Sequence, residues 1–440
     1  MSKIESFLTV GLMSDDDRRS AVLEEMISQL GLDYEWISNG DIKYPAVIID
    51  TVARFESARR HVDSDDAIVV AEKVCDIKSI YSLLSGMRQH THDAITPVVN
   101  IEERKLMDII RAVFTRQGLP LVYKPLWPGG HDICVVLTHD VDWLAYNGMH
   151  RVVFHGSLDF RRALPLAFKS LLRGTNLGWN IPELTELENK YNTKSTFFFK
   201  TRYDTNSELL AKSIGIVKES GSEVALHASY DSHVSGGSLS RQIEFLESIS
   251  GKEIKGVRHH ILKTKPPDTW KIEAAEGLSY DATFAYNRFF GFRAGSCLPY
   301  HPFGEIRLPI IELPTSFMDW TALHRNIRGE KFFRSIEQVL DVVNEYGGVF
   351  VVNFHNTYMN GETFPDVVSA YERFLQKVTT QNSWVATASQ CVEWWSTRES
   401  TPLRAKLNRD GTIEVGTALL TPLVESTHRF QVNVVRNGQD

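Results

Sequence analysis

Four segments of this sequence end an apolar, strand-like run in carboxylate or imidazole side chains. Ile133-Cys-Val-Val-Leu-Thr-His-Asp-Val-Asp142 places Asp140 and Asp142 one residue apart. In extended backbone alternate residues face the same side, so both carboxylates would meet one cation and its water. Glu223-Val-Ala-Leu-His227 presents His227, with Asp231 and His233 following it; on a helical turn that spacing brings two ligands to one ion. Gly256-Val-Arg-His-His260 and Gly348-Val-Phe-Val-Val-Asn-Phe-His355 complete the set. A single residue of this kind reads as a hydrogen-bonded structural side chain or a turn cap. Four strand ends that each present Asp or His point instead to a metal-dependent hydrolytic site, because α/β folds gather ligands and catalytic groups at the C-terminal ends of parallel strands.

The elements that must position these residues follow from patterning. From Asp132 to about Arg398, strand-like runs (Ile133–Leu137, Ser195–Phe199, Glu223–Leu226, Gly348–Asn353) alternate with amphipathic helices such as Pro182–Tyr191, Leu239–Ser250 and Phe364–Thr380, the rhythm of a parallel sheet or barrel. Before it, residues 1–125 read as a small α/β domain: a helix capped at Ser14 and stopped at Gly31, a buried strand over Tyr44–Asp50, and a helix over Glu103–Gln117. No phosphate-loop or GxGxxG pattern marks this domain as a nucleotide site. The stretch Gly118–Gly130, with three prolines and three glycines, reads as a boundary free of regular structure. After Thr401 a hairpin turning at Asp410-Gly411 and a strand over Phe430–Val435 predict a β appendage, 401–440. The barrel domain is thus bounded at 131–398. Met149–Arg173 interrupts the rhythm with five basic residues against one acid; it reads as a solvated insertion or as a basic lid for peripheral contact with a membrane or an anionic carrier.

Composition bounds the function. The chain has 440 residues, too many for one ordinary core, and 42% hydrophobic with 23% charged residues is a globular balance. A net charge of −7 gives no general drive toward nucleic acid. Four scattered cysteines suggest neither a thiolate metal site nor a disulfide framework. The N-terminus lacks a signal-peptide pattern and no run approaches a membrane span, so a soluble, cytoplasmic protein is expected.

The motifs also carry a resemblance. Thr138-His-Asp-Val-Asp142 resembles the first motif of the polysaccharide deacetylase superfamily (carbohydrate esterase family 4), and Lys194-Ser-Thr-Phe-Phe-Phe199 is similar to its Ala-Thr-Phe-Phe strand. Leu226-His-Ala-Ser-Tyr, Gly256-Val-Arg-His-His, Tyr280-Asp-Ala-Thr, Gly291-Phe-Arg-Ala-Gly-Ser, Glu312-Leu-Pro and Phe354-His-Asn are similar, in order, to a cytoplasmic branch found among capsule and lipopolysaccharide functions, over residues 132 to about 398. The resemblance implies a distorted (β/α)7-type barrel and removal of an N-acetyl or related acyl group from an amino sugar. It implies one divalent metal, commonly zinc, held by Asp142 and His227, with Asp140 as general base and His355 as the acid that protonates the departing amine. Asp231 stands where the family has a second histidine. The third ligand is then Asp231 or His260, the latter preferred because it would lie on the adjacent strand end. Arg258 is expected to pair with Asp140, with Arg293 as its competitor, and Asp319-Trp320 either line the site or form an ordinary loop. Trp143, Tyr230, Phe290, Trp320 and Tyr358 are candidates to stack on a sugar or, equally, to pack the core. An expected cytoplasmic location favours a nucleotide-, lipid- or oligosaccharide-linked acetamido sugar as substrate. Two other readings stand beside it: hydrolysis of a small cyclic amide or ureide, and a non-catalytic carbohydrate-binding or assembly protein with a degenerate site, motivated by Asp231.

Overall fold

The computed structural model describes residues 6–37, 42–91, 93–144, 179–201, 207–229, 231–417, 421–428 and 430–435. The basic stretch 149–173 and Tyr230 lie outside the described residues. The chain begins with β1 (Ser6–Phe7) and continues through a parallel four-stranded sheet, order β3-β2-β4-β5, of β2 (Val10–Met13), β3 (Tyr34–Trp36), β4 (Val47–Ile49) and β5 (Ile68–Val70). Its first helix, Asp17–Leu30, is capped by Asp16, whose carboxylate accepts from the Arg19 amide, and stops at Gly31 in the left-handed region (φ 73°). The cap is therefore Asp16 rather than Ser14, because Ser14 turns its hydroxyl to the buried Asp50. The helix Val98–Arg116 leads to β6 (Leu121–Tyr123), which pairs with β18 (Leu423–Glu425). The expectation of no regular structure in 118–130 is thus corrected. Pro120 and Pro125 flank the three paired residues instead of interrupting them, so no ladder donor is lost.

The central sheet is parallel throughout, with strands β7 (Ile133–Val141), β8 (Thr196–Phe199), β9 (Glu223–Ala228), β10 (Gly256–His259), β11 (Tyr280–Asp281), β12 (Ile311–Glu312), β13 (Thr315–Met318), β14 (Val349–Asn353) and β15 (Ser383–Ala386). Its order is β12-β11-β10-β9-β8-β7-β14-β13, and β15 pairs the start of β7, over Ile133–Val136, below the point where β8 joins it at Thr138. β12 and β13 are the two edges, yet only Leu313 and Pro314 separate them in sequence. The sheet must therefore curl until its edges meet. Counted as one strand broken at a proline, which has no amide to donate, 311–318 closes the ring between β11 and β14 as one of seven staves of a distorted barrel.

All nine residues of β7 are buried, as expected of a parallel strand covered on both faces. Alternation still sorts them: Ile133, Val135 and Leu137 pack into the large core beneath the helices, whereas Cys134 and Val136 pack with Phe198, Ala225, Tyr280, Val349 and Val351 inside the barrel. Continued to the strand ends and just past them, that inner row becomes Thr138 and Asp140 on β7 with Asp142 directly after it, His227 on β9, Arg258 on β10 with His260 directly after it, and Asn353 on β14 with His355 two residues on. A four-stranded sheet β1-β16-β17-β19, built from β16 (Arg404–Leu407), β17 (Thr412–Gly416) and β19 (Gln431–Val435), completes the described chain.

Candidate metal centre at the barrel mouth

Each side chain of the site is delivered by the end of a strand. β9 and β10 run in parallel register with His227 opposite Arg258, so His260, two residues beyond Arg258, stands beside the exit of β9. His227 Nδ1 lies 2.9 Å from the Arg258 carbonyl. A ring that donates Nδ1–H to that carbonyl keeps the Nε2 lone pair for the barrel mouth, the orientation a metal-ligating histidine needs. That lone pair meets Asp142: Oδ1 lies 3.5 Å from His227 Nε2 and 3.3 Å from His260 Nε2. Ligands of a tetrahedral zinc at about 2.0–2.1 Å are spaced roughly 3.3–3.4 Å apart, so the spacing of these atoms suits a small divalent ion. Asp142 Oδ1 is thus the buried oxygen on which the site converges. A buried carboxylate oxygen is costly unless a cation meets it; here the Lys200 ammonium stands 2.6 Å from it, and Asp142, His227 and His260 are the three groups that could hold a metal ion among the described residues. Burial would raise the Asp142 carboxyl, but His227, His260 and the Lys200 ammonium outweigh it and hold its pKa well below the usual range.

Asp231 does not join this group. Asp231 stands at the head of a short 3-10 turn, Ser232–Val234, and its Oδ1 accepts from the Ser238 hydroxyl at 2.9 Å, at the start of the helix Gly236–Ser250. His233 is likewise elsewhere, 6.2 Å ring to ring from His259.

Asp140 faces the same opening. Its Oδ1 accepts from Arg258 Nη1 at 2.9 Å and its Oδ2 from Asn353 Nδ2 at 2.8 Å, while its own amide donates to Asn353 Oδ1. Burial alone would raise this carboxyl, yet His227, Arg258 and His355 together bring it down to about 2. Arg293 has no part in this pair: it donates to the Ala285 carbonyl and lies over the Phe284 ring.

His355 approaches from β14, with Nε2 3.8 Å from Asp140 Oδ2 and 3.9 Å from Asp142 Oδ2. Behind it, Nδ1 lies 2.6 Å from Asp319 Oδ1, and the His355 amide donates to Asp319 Oδ2 at 2.7 Å. Burial would lower this imidazole, but Asp319, then Asp140 and Asp142, raise it to about 9. Asp319 is fully buried and holds the histidine, so of the two readings of Asp319-Trp320 the site-forming one describes this aspartate.

Three contributors were not read from the sequence. Asn353 clamps Asp140, Asn356 accepts from the Asp142 amide and donates to the Trp143 carbonyl, and Lys200 lies 2.6 Å from Asp142 Oδ1. Two-residue alternation along β14 and β8 was the available signal: Asn353 precedes His355 by two, and Lys200 follows the inward Phe198 by two. Of the candidate stacking aromatics, Phe290 and Tyr358 are buried against Phe317 and Phe364, whereas Trp143 and Trp320 are half-buried.

No protein-family model matches the chain, and no curated protein does. Among solved structures 39 chains match. A Mycobacterium smegmatis protein described as a polysaccharide deacetylase is 22% identical, over 63% of this chain and 95% of that one, with a TM-score of 0.45. A Pseudomonas aeruginosa PAO1 protein described in the same words is 17% identical over 63% and 95%, TM-score 0.45. The PuuE allantoinase is 15% identical over 62% and 93%, TM-score 0.46. Among the described residues no helix is long and apolar enough to cross a membrane.

Proposed function

We propose that this chain is a metal-dependent hydrolase that removes an N-acetyl or related acyl group from an amino sugar carried on a nucleotide, lipid or oligosaccharide, as a step toward a surface polysaccharide. The observation that carries this reading is the convergence of a three-donor Asp142–His227–His260 cluster with two oppositely prepared proton carriers, Asp140 and His355, at one barrel mouth. The nitrogen and oxygen donors suit zinc. A divalent ion held there supplies Lewis-acid polarisation of the acyl carbonyl.

The chain's own residues divide the proton work. Asp140, kept ionised by Arg258 and Asn353, accepts a proton from the attacking water. His355, kept protonated by Asp319, gives its Nε2 proton to the departing amine. Each group thus starts in the protonation state its role requires near neutral pH, and their environments push the two pKa values apart. The ordered strand-end motifs support the carbohydrate side of the reading.

The test is acetate release from nucleotide- and lipid-linked acetamido sugars by zinc-supplied protein. The expected result is acetate with an equal amount of free amine, falling about 10²- to 10⁴-fold in Asp140→Ala and His355→Ala. Ring opening of a cyclic ureide without acetate would replace this reading with the cyclic-amide one. Full biological function in both variants would leave the non-catalytic one.

A further inference from the structure

The mouth of the barrel holds a cation of its own. Parallel register sets Val141 beside Phe199, so the next residues on the two neighbouring strands, Asp142 and Lys200, leave the sheet side by side. Phe198 faces the barrel interior, and Lys200, two residues on, follows it inward. The Lys200 side chain is 15% exposed, and its Nζ lies 2.6 Å from Asp142 Oδ1, the same oxygen that His227 and His260 approach.

We propose that Lys200 is a resident counter-cation of the Asp142 site, which a divalent ion must displace, so that this lysine sets the ion affinity of the centre. The inference rests on the reading of Asp142, His227 and His260 as an ion site. An ammonium at 2.6 Å from the oxygen competes for the position an ion would take, since an ion bonded to that oxygen at about 2.0–2.2 Å leaves no room for it. With the lysine in place the site is occupied by an internal competitor, and the apparent affinity falls by the fraction of molecules in which the lysine has moved away. A second place for the ammonium is at hand: Nζ lies 5.6 Å from the centroid of the Trp143 ring, within cation–π range. A shift of the flexible four-carbon stem from carboxylate to ring would free Oδ1 while keeping the positive charge partly satisfied.

The experiment is calorimetric titration of chelator-stripped full-length protein with Zn²⁺, on wild type, Lys200→Met, Lys200→Gln, Lys200→Arg and Asp142→Ala, with thermal melting in chelator to establish that each is folded. Lys200→Met and Lys200→Gln are expected to bind zinc about tenfold more tightly or better. Lys200→Arg, which keeps the charge, is expected to stay near wild type, and Asp142→Ala to lose binding. Zinc affinity in both neutral variants equal to or weaker than in wild type would overturn the role of Lys200 while leaving the ion site intact. No binding in wild type or in either neutral variant would overturn the ion site itself, and this inference with it.

Discussion

Asp319 is the residue that raises the pKa of His355 above that of an ordinary imidazole. A buried histidine would normally be neutral, and here the carboxylate 2.6 Å from Nδ1 reverses that preference. Asp319→Asn keeps the shape and removes the charge. Activity that depends on protonated His355 is lost as pH rises through its pKa, so the variant's alkaline limb is expected at lower pH than wild type's, measured as kcat/KM against pH. A merely structural role would instead depress kcat/KM equally at all pH values. Asn353 acts on the partner carboxylate: both ends of its amide meet Asp140, so Asn353→Ala is expected to lower kcat by about tenfold or more with little change in zinc affinity, because Asp140 is not among the clustered donors.

At the scale of elements, the site depends on β10 lying tightly against β11. Gly256 opens β10, and a Cβ built there would stand 1.8 Å from Cζ of the fully buried Tyr280 ring. The glycine is present for close approach, not for an unusual dihedral. Gly256→Ala must push the ring or the strand aside, and β10 carries Arg258 and leads directly into His260. The expected outcome is a loss of about 1–3 kcal/mol in denaturant unfolding together with weakened zinc binding. The turn after β10 is strained as well: Ile261 and Leu262 both adopt positive φ, 57° and 55°, directly beyond His260. Residues without glycine's freedom are held there only where surrounding contacts over-determine the backbone, as at a site that must fix one imidazole.

Across the whole molecule, the barrel's last helix, Ala388–Ser400, is tied to the first helix of the chain. Arg398, fully buried, donates to the Ser28 and Gln29 carbonyls at the C-terminal end of Asp17–Leu30, where the Gly31 amide also reaches Ser28, and to the Pro125 carbonyl beyond β6. Arg398→Met would remove the side-chain donor from the Gln29 and Pro125 carbonyls, while Ser28 keeps the Gly31 amide, and is expected to cost on the order of 3 kcal/mol of stability without touching the Asp142–His227–His260 cluster. Beside it, His301 and Arg307 both meet Glu399, and Arg307 also meets the buried Glu25. Burial lowers the His301 pKa, but Glu399 and Glu25 raise it above the ordinary value. Its contribution to stability is therefore complete below its unfolded pKa of about 6.5 and disappears as pH rises through the raised folded-state value. The melting temperature is expected to fall across that alkaline window, and His301→Gln to remove that part of the pH dependence.

The sequence by itself determined which strand ends present carboxylate and imidazole side chains, because period-two alternation and apolar runs are local properties of the chain. Asp140, Asp142, His227, Arg258, His260 and His355 could all be named from it. The parallel rhythm of strands and helices was legible for the same reason. Only the tertiary structure decided who meets whom. The choice of His260 over Asp231 depends on the register of β9 against β10, the choice of Arg258 over Arg293 on which side chain enters the barrel, and the place of Lys200 on the register of β7 against β8. Register is set by packing between segments distant in sequence, and no reading of one segment at a time contains it. The strand Leu121–Tyr123 was missed on the same account: its partner lies some 300 residues away, and the prolines around it hid a pairing that neither segment shows alone.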